Sequence, residues 1–207
     1  KQSGGHGQYG DVWIEFEPTD STELVGLPEY VKQMGAETAA EKGLTGWAFT
    51  LDVPSYLPFM KYSQNEARRK EIYLAYATRG IGGEFDNTQV VKDIVDRRIK
   101  IANILGYETY ADYALEDRMA NDKDIVNDFL ADLAKKSIAP AQKDVQQVYE
   151  FAKKNGFEGK ELMPWDFTYW SERYQETEYS LNAEELKPYL SLDNCINAVF
   201  DLANRLY

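Results

Sequence analysis

The longest stretch in which polar and apolar positions agree on one structure is residues 86–119, called the spine here. Val91, Ile94, Ile101 and Leu105 recur along it at helical spacing. This is the pattern of an amphipathic helix with a broad apolar face. We therefore predict a helix through the first part of the spine, with its apolar face packed in the protein core.

Residues with known preferences for helix ends divide the spine in two. Asp86 and Gln89 have the spacing of a capping box at its start. Gly106 suits the left-handed residue that follows a helix, and Thr109 with Asp112 offers the cap of a second helix. The spine is therefore predicted to fold as a helical hairpin or corner.

Strict alternation of apolar and polar residues is confined to two short segments. Residues 12–16 and residues 47–51 alternate, which predicts a short strand or extended segment in each. The segment around Pro54 and Pro58 is predicted to be a loop. Helical periodicity covers most of residues 27–207, so the predicted fold class is mainly α with at most a few short strands.

Two helices are predicted before the spine. The first runs toward Gly43 on the protein surface, and Gly35 weakens its middle by about 1 kcal/mol relative to alanine. The second runs through Thr78 and has the spacing of a capping box at Ser63 and Glu66. We expect the first of these helices to be of modest stability.

A long helix over residues 122–155, capped by Asn121, is predicted after the spine. Its apolar row includes Phe129, Leu133 and Val145 and is expected to pack against the spine. Pro140 lies within this helix. Because proline lacks an N–H and crowds the carbonyl one turn earlier, we predict a bend or break there.

An aromatic-rich stretch, residues 163–179, is predicted to form a helix that begins at Pro164. Its side chains suit either an aromatic substrate cage or ordinary core packing, and core packing is the favoured interpretation. Asn182 with Glu185 then caps a short helix, and residues 196–206 form a last amphipathic helix.

The charge balance bears on the partners of the chain. Its 207 residues include 35 acidic and 23 basic side chains, for a net charge of -12. This charge repels phosphate backbones and anionic lipid surfaces. We therefore predict neither a nucleic acid nor a membrane as a partner.

Histidine and cysteine are too few for a zinc site. The sequence has one histidine, His6, and one cysteine, Cys195, whereas catalytic zinc takes three protein ligands and structural zinc takes four. A Ser-His-Asp triad is also disfavoured, because His6 lies in a Gly-rich leader. Cys195 lies on an apolar helical pattern and is predicted to be a buried small hydrophobe.

Neighbouring carboxylates are the remaining candidates for chemistry, since they can transfer protons or hold a hard cation. The pairs are Glu184–Glu185, Glu176–Glu178 and Glu116–Asp117. On so acidic a chain, adjacent carboxylates are typically solvated. No catalytic, cofactor-binding or metal-binding residue is therefore predicted.

The Gly-rich start, residues 1–18, stands apart from the rest. It could cradle a phosphate, but it lacks the Lys-Ser/Thr ending of a P-loop, so a flexible lead-in is favoured. Its sequence, QSGGHGQYG followed by VWIEFEP, resembles the start of the fourth domain of translation elongation factor G. The resemblance ends at Pro18 and implies a foreign leader, a fusion or a mis-joined sequence, without inherited ribosome activity.

Residues 19–207 resemble the peptidyl-dipeptidase, thimet oligopeptidase and oligopeptidase A family of zinc metallopeptidases. The motifs that carry the resemblance are DSTELVGLPEYV, GWAFTLDVPSYLPFMKYS, IANILGYETYADYALEDRMA, WDFTYWSERY and AEELKPYLSLDNCINAVFDLANRLY. The resemblance implies a fragment of a two-lobed, mostly helical fold with a deep channel that admits short peptides.

The resemblance also implies where the chemistry of this family lies. Its His-Glu-x-x-His zinc motif, third zinc ligand and substrate-binding tyrosines would all follow Tyr207, so no functional residue is carried over to this chain. The chain is then an inactive scaffold that packs with the remainder of the peptidase chain, while zinc and short peptides belong to the parent enzyme. A cytoplasmic parent is expected, with a periplasmic one as the alternative.

Two other functions remain open from the sequence. An autonomous helical binding module would melt cooperatively and would show no exposed apolar wall. The other is a ribosome-associated protein, in which the leader keeps the function of the elongation-factor segment that it resembles. Such a protein would co-sediment with ribosomes.

Overall fold

The computed structural model describes residues 13–16, 21–83, 85–120, 122–180 and 183–206, and it confirms a mainly α fold. The strands are β1 (Trp13–Phe16) and β2 (Trp47–Thr50). The helices are α1 (Glu29–Glu41), α2 (Val53–Tyr62), α3 (Glu66–Ala77), α4 (Thr88–Ile104), α5 (Tyr110–Leu115), α6 (Lys123–Lys154), α7 (Pro164–Tyr179) and α8 (Leu192–Leu206). Short 3-10 turns cover Ser21–Leu24 and Ala183–Tyr189.

The two strands lie where alternation predicts them. They pair antiparallel, with Trp13 opposite Thr50 and Phe16 opposite Trp47. On β2, Ala48 and Phe49 are buried. Strand β2 therefore contributes one wall of the main core.

The main core is formed by α1, β2, α2 and α3, which together with α7 we call the base. Its centre holds Val31, Phe49, Phe59, Met60 and Ile72. The rings of Phe49 and Phe59 meet edge to face, with centroids 4.9 Å apart. Such an arrangement adds about 0.5–1.5 kcal/mol beyond the burial of apolar area.

Helix α1 lies at the surface, as predicted, but one of its faces belongs to the main core, and its modest stability stays a prediction. Val31, Gly35 and Ala39 are buried on the face that packs against β2. A Cβ at Gly35 would lie 3.0 Å from ring atoms of Phe49. The glycine therefore lets α1 approach the strand closely, a packing role that periodicity does not reveal.

The prediction of a loop around Pro54 and Pro58 is also wrong, because this segment is helix α2. Pro54 lies in the first turn, where its missing N–H costs nothing. Pro58 gives up one helical hydrogen bond. Burial of Phe59 and Met60 on the same helix compensates for that loss.

Helix α3 is capped by Asn65 rather than by the predicted box of Ser63 and Glu66. The Asn65 Oδ1 accepts a hydrogen bond from the backbone N of Arg68 at 3.2 Å. Ser63 Oγ instead accepts from the backbone N of Asn65. Ile72 is buried at the core, as its periodicity predicts.

The spine forms the predicted corner, but its start differs from the prediction. Helix α4 begins at Thr88, and Asp86 accepts from the backbone N of Thr88 at 2.8 Å. Gln89 bonds to Asp93 instead of reaching back to Asp86, so the predicted capping box is wrong. Gly106 adopts the expected left-handed conformation, with φ of 88°.

The prediction that the spine packs in the core is wrong for the described part of the chain. Among the described residues of α4, Ala102 alone is buried. The apolar residues that define the helical pattern are exposed: Val91, Ile94, Ile101 and Leu105. The pattern therefore identified a helix correctly and its burial incorrectly.

Helix α6 runs unbroken through Pro140, so the predicted break is wrong, while the alternative of a bend at that residue stays a prediction. Its N-cap is Asp122, and the predicted cap, Asn121, lies outside the described residues. The packing of its apolar row on α4 is also wrong, because Phe129, Leu133 and Val145 are 44–61% exposed. Near its C-terminal end the helix packs on α7 instead and buries Val148 and Ala152.

Helix α7 begins at Pro164 as predicted and packs on α2, α3 and α6. The predicted cap of the short turn that follows, Asn182, lies outside the described residues. Helix α8 then covers the predicted amphipathic segment. No residue within Leu192–Leu206 is buried, although the whole helix is described.

Candidate functional site

A pocket of about 300 Å³ lies at the corner where α4, α5 and α6 meet. Its lining consists of polar or charged side chains, namely Tyr107, Asp112, Glu116, Asp122, Lys123 and Asp124. This corner is the candidate site because it brings carboxylates, a phenol and an ammonium together.

A capping box builds the α5 side of the pocket, as the sequence predicts. The backbone N of Thr109 donates to Asp112 Oδ2 at 3.0 Å, and the backbone N of Asp112 donates to Thr109 Oγ1 at 3.2 Å. The Thr109 hydroxyl also donates to the same carboxylate at 2.6 Å. The carboxylate of Asp112 is thus fixed by its own helix end.

The first turn of α6 supplies the cation of the site. Lys123 Nζ lies 3.1 Å from Asp112 Oδ1 and 3.9 Å from Glu108 Oε2. Across the pocket, the Tyr107 hydroxyl donates a hydrogen bond to Glu116. The contact of Lys123 with Asp112 joins α5 to α6, whereas the contact of Tyr107 with Glu116 spans the two ends of α5.

The contacts shift the titration of three groups. Hydrogen bonding from the Thr109 side chain, and then from Lys123, lowers the pKa of Asp112. The hydrogen bond with Asp112 raises the pKa of Lys123. The hydrogen bond with Glu116 raises the pKa of the Tyr107 phenol. In each case the hydrogen bond favours the protonation state that makes it, namely ionised Asp112, protonated Lys123 and the neutral phenol of Tyr107.

The carboxylates of Asp112 and Glu116 are therefore bonded to neighbouring groups of the same corner. Asp112 is held by the hydroxyl and N–H of Thr109 and by Lys123, and Glu116 is held by Tyr107. Within the described ranges, no group of three or more His, Cys, Asp or Glu side chains is placed to hold a metal ion. We interpret the corner as a structural joint between helices.

The structure does not gather the other sequence candidates into one site. Glu176 pairs with Arg173 at 3.1 Å, whereas Glu178 is exposed near the end of α7. Glu185 is exposed in its 3-10 turn, and the side chain of Glu184 lies outside the described residues, as does His6. Asp117 is exposed beside Glu116.

Cys195 is partly exposed on α8, so the prediction that it is buried is wrong. Its apolar neighbours on that helix, Ile196 and Val199, are themselves exposed. The helical pattern around Cys195 is real, but no described residue covers it.

Sequence reasoning missed a buried ion pair between Arg69 on α3 and Asp166 on α7. Arg69 Nη2 donates to Asp166 Oδ1 at 3.0 Å, and both side chains are at most 3% exposed. Arg69 also donates to the backbone oxygens of Ser63 and Trp165, at 2.8 and 2.9 Å. Its guanidinium lies over the ring of Tyr169.

A second pair fixes α7 to α2. Lys61 Nζ lies 2.9 Å from Glu172 Oε2, and the Tyr62 hydroxyl donates to Glu172 Oε1 at 3.3 Å. The partners lie about a hundred residues apart in the chain, so no local spacing could have indicated them. The one local signal for either pair was Asp166, an acidic residue three positions after Met163. Its carboxylate accepts a hydrogen bond from the backbone N of Met163 at the start of α7.

The aromatic residues of α7 belong to packing, which agrees with the favoured prediction. Trp165 packs against the main core beside Tyr73. Trp170 meets the rings of Phe151 and Phe157, near the end of α6. These rings join α7 to both of its neighbours.

Within the described part of the chain, every helix is too short or too polar to span a lipid bilayer.

Comparison with known proteins adds the following findings. The profile of the family described as "Peptidase family M3" matches residues 59–207. Oligopeptidase A of Escherichia coli (strain K12) is 40% identical over 194 residues, which covers 91% of this chain and 28% of that protein. Oligopeptidase A of Haemophilus influenzae is 38% identical over 193 residues, which covers 91% of this chain and 28% of that protein.

A plant relative shows similar coverage. The "Probable cytosolic oligopeptidase A" of Arabidopsis thaliana is 40% identical over 207 residues, which covers 95% of this chain and 29% of that protein. The chain therefore spans less than a third of the length of these curated relatives, while the similarity extends over almost all of its own sequence.

Proposed function

Because the chain belongs to peptidase family M3, we propose that it is the helical scaffold part of a zinc-dependent metallopeptidase that cleaves short peptides. The complete enzyme would be an oligopeptidase or a peptidyl-dipeptidase. The observation that carries the proposal is the match to this family in a sequence whose one histidine is His6. The name oligopeptidase A, which all three relatives described above carry, supports the substrate class.

The residues of this chain do not fit a zinc site. Catalytic zinc is held by three protein ligands, with histidine prominent among them. At the described corner, Lys123 and Thr109 engage Asp112 and Tyr107 engages Glu116. Asp122 accepts a hydrogen bond from the backbone N of Asp124. On this proposal the zinc ligands and the peptide-binding residues come from the remainder of the peptidase chain, and this chain is inactive by itself.

The role left to the chain is to hold helices in place. The base is locked by α7, whose Asp166 and Glu172 form ion pairs with residues of α3 and α2. We propose residues 19–207 as this scaffold and residues 1–18 as a foreign-looking leader, although Trp13–Phe16 within that leader pair with β2 of the scaffold. The family match begins at residue 59, well inside the segment assigned to the scaffold.

We expect the complete protein to act in the cytoplasm, with the periplasm as the alternative. The word "cytosolic" in the name of the plant relative supports the first compartment. The net charge of -12 argues against partners with phosphate backbones or anionic lipid surfaces.

The proposal is tested with two proteins and one substrate. The first is this chain, and the second is Escherichia coli oligopeptidase A with this chain in place of the aligned segment. Both are incubated with zinc and a quenched fluorescent peptide, with and without a chelator. We expect chelator-sensitive cleavage by the longer protein only. Cleavage by the short chain, or inactivity of the longer protein beside an active unmodified relative, would refute the proposal.

A further inference from the structure

Asn155 and Gly156 follow the last helical residue of α6 and form the one Asn-Gly pair of the sequence. Asparagine is a thermolabile residue, because the backbone N of the residue after it can attack its side-chain amide carbon. A glycine in the second position hinders this attack least, since it has no Cβ and restricts the backbone least. The sequence therefore makes Asn155 the most reactive asparagine of the chain.

Water has access to both residues of this pair. Each is exposed, and a Cβ added to Gly156 would meet no atom within 4 Å beyond its chain neighbours. Among the described residues, none accepts a hydrogen bond from the backbone N of Gly156. The atom that would attack the side chain of Asn155 is therefore accessible to a base in solution.

The end of α6 nevertheless holds Asn155 in an unreactive conformation. Its Nδ2 donates to the backbone O of Phe151 at 2.8 Å, and its backbone N donates to the backbone O of Phe151 and of Ala152. Its ψ of 22° is that of a helix end, and closing a five-membered ring turns the next peptide bond well away from this angle. The reaction therefore requires the last turn of α6 to open, which helix ends do readily.

We propose that Asn155 is a site of spontaneous deamidation, that the opening of this last turn sets its rate, and that its products loosen the contact of α6 with α7. The backbone N of Gly156 loses its proton, attacks Asn155 Cγ and forms an N–C bond. The Cγ–Nδ2 bond breaks, and the amide group leaves with one proton as ammonia. One water then opens the cyclic imide at either carbonyl, which leaves aspartate or isoaspartate at position 155.

Either product weakens the end of α6. The donor to the backbone O of Phe151 is lost, and a carboxylate at the C-terminal end of a helix opposes the helix dipole. Isoaspartate also adds one carbon to the main chain just before Phe157, whose backbone N donates to the O of Ala152 at 2.9 Å. Phe157 is 8% exposed and its ring meets Trp170 of α7. The modification therefore acts on a buried contact between the two helices.

The test ages the purified chain in mildly alkaline buffer, once folded and once in urea, and follows each asparagine by peptide mass spectrometry. Replacing the amide NH2 by OH raises the mass of a peptide, and chromatography separates aspartate from isoaspartate. Asn127 is the internal control, because it is also exposed on α6 but precedes Asp128. Asn155→Gln keeps the amide and should react far more slowly, because its ring would need six atoms.

We expect Asn155 to deamidate at least about tenfold faster than Asn127 in the folded chain, because glycine follows it. Urea should speed the reaction of Asn155 at least about tenfold, because the cap then no longer opposes ring closure. A faster reaction at another asparagine of the folded chain, or equal rates with and without urea, would overturn the proposal. So would a folded chain that stays unmodified while the chain in urea converts.

Hydrogen exchange tests the effect on the two helices. Exchange of residues 151–157 should quicken in the aged chain and in Asn155→Asp, which represents one product. It should not quicken in Asn127→Asp, which adds the same charge away from the helix end, or in aged Asn155→Gln. Unchanged exchange of this segment after complete conversion of Asn155 would show that the modification leaves the contact of α6 with α7 intact, against the proposal.

Discussion

The base and the outer helices α4, α6 and α8 use apolar residues in opposite ways. The base buries Phe49, Phe59 and Ile72 although its helices contain prolines and a glycine. The outer helices have regular apolar rows and leave most of them exposed. The difference teaches that periodicity specifies a helix, whereas burial depends on what is placed against it.

The largest expected effect comes from removing a large side chain in the base. Phe59 is 0% exposed and touches the Phe49 ring, so Phe59→Ala should lower the free energy of unfolding by about 4 kcal/mol. Phe129→Ala on α6 is the matched control and should change it by less than about 1 kcal/mol. Urea unfolding followed by circular dichroism measures both. Equal losses would abolish the distinction between the two regions.

The next effect tests the ion pair that fixes α7 to the base. Asp166→Asn leaves the buried charge of Arg69 without its counter-ion, and we expect a loss of about 3 kcal/mol. Asp132→Asn removes an exposed partner of Lys136 and should cost at most about 0.5 kcal/mol. The same unfolding experiment compares them. A loss at Asp166 no larger than at Asp132 would show that the buried pair does not hold the base together.

A smaller effect tests the close approach of α1 and β2. Gly35→Ala gains helix propensity of about 1 kcal/mol, but its methyl group would lie 3.0 Å from the Phe49 ring. We expect a net loss of about 1 kcal/mol, because the buried ring has little room to move.

A double-mutant cycle with Phe49→Leu checks the cause of that loss. The smaller side chain removes the ring, so the cost of Gly35→Ala should shrink or change sign in the Phe49→Leu background. Strict additivity of the two substitutions would point to a cause other than this contact.

The smallest effect concerns the corner beside α6. The pKa of Asp112 is lowered in the folded chain, so its contribution is present above its unfolded pKa and is lost as the pH falls through its folded pKa. Carboxyl NMR titration should find a pKa below the usual aspartate value.

Two variants rank the causes of this shift. Thr109→Ala should raise the pKa of Asp112 toward its usual value more than Lys123→Met does, since the Thr109 hydrogen bond is the larger cause. The reverse order in the titration would show that the charge of Lys123, rather than the cap, controls this carboxylate.

Local sequence patterns predicted those parts of the fold that local physics decides. The cap of Thr109 and Asp112, the left-handed Gly106 and the start of α7 at Pro164 were all predicted correctly. Each depends on residues within one or two helical turns, where the preferences of single residues act directly.

Local patterns could not predict contacts between distant segments. Gly35 was interpreted as a weak point because its role depends on Phe49, on the next strand. Arg69 and Asp166 are 97 positions apart. The prediction that α4 packs in the core was wrong for the same reason, since an apolar row does not identify the segment that covers it.

The difference between the base and α8 is tested most directly by hydrogen exchange of the isolated chain, resolved by peptide in mass spectrometry. The amides of α2 lie in the packed base and should exchange only when the base unfolds. The amides of α8 should exchange at least about a hundredfold faster, because no described residue buries that helix. Equal protection of α2 and α8 in a chain shown to be monomeric would contradict the account.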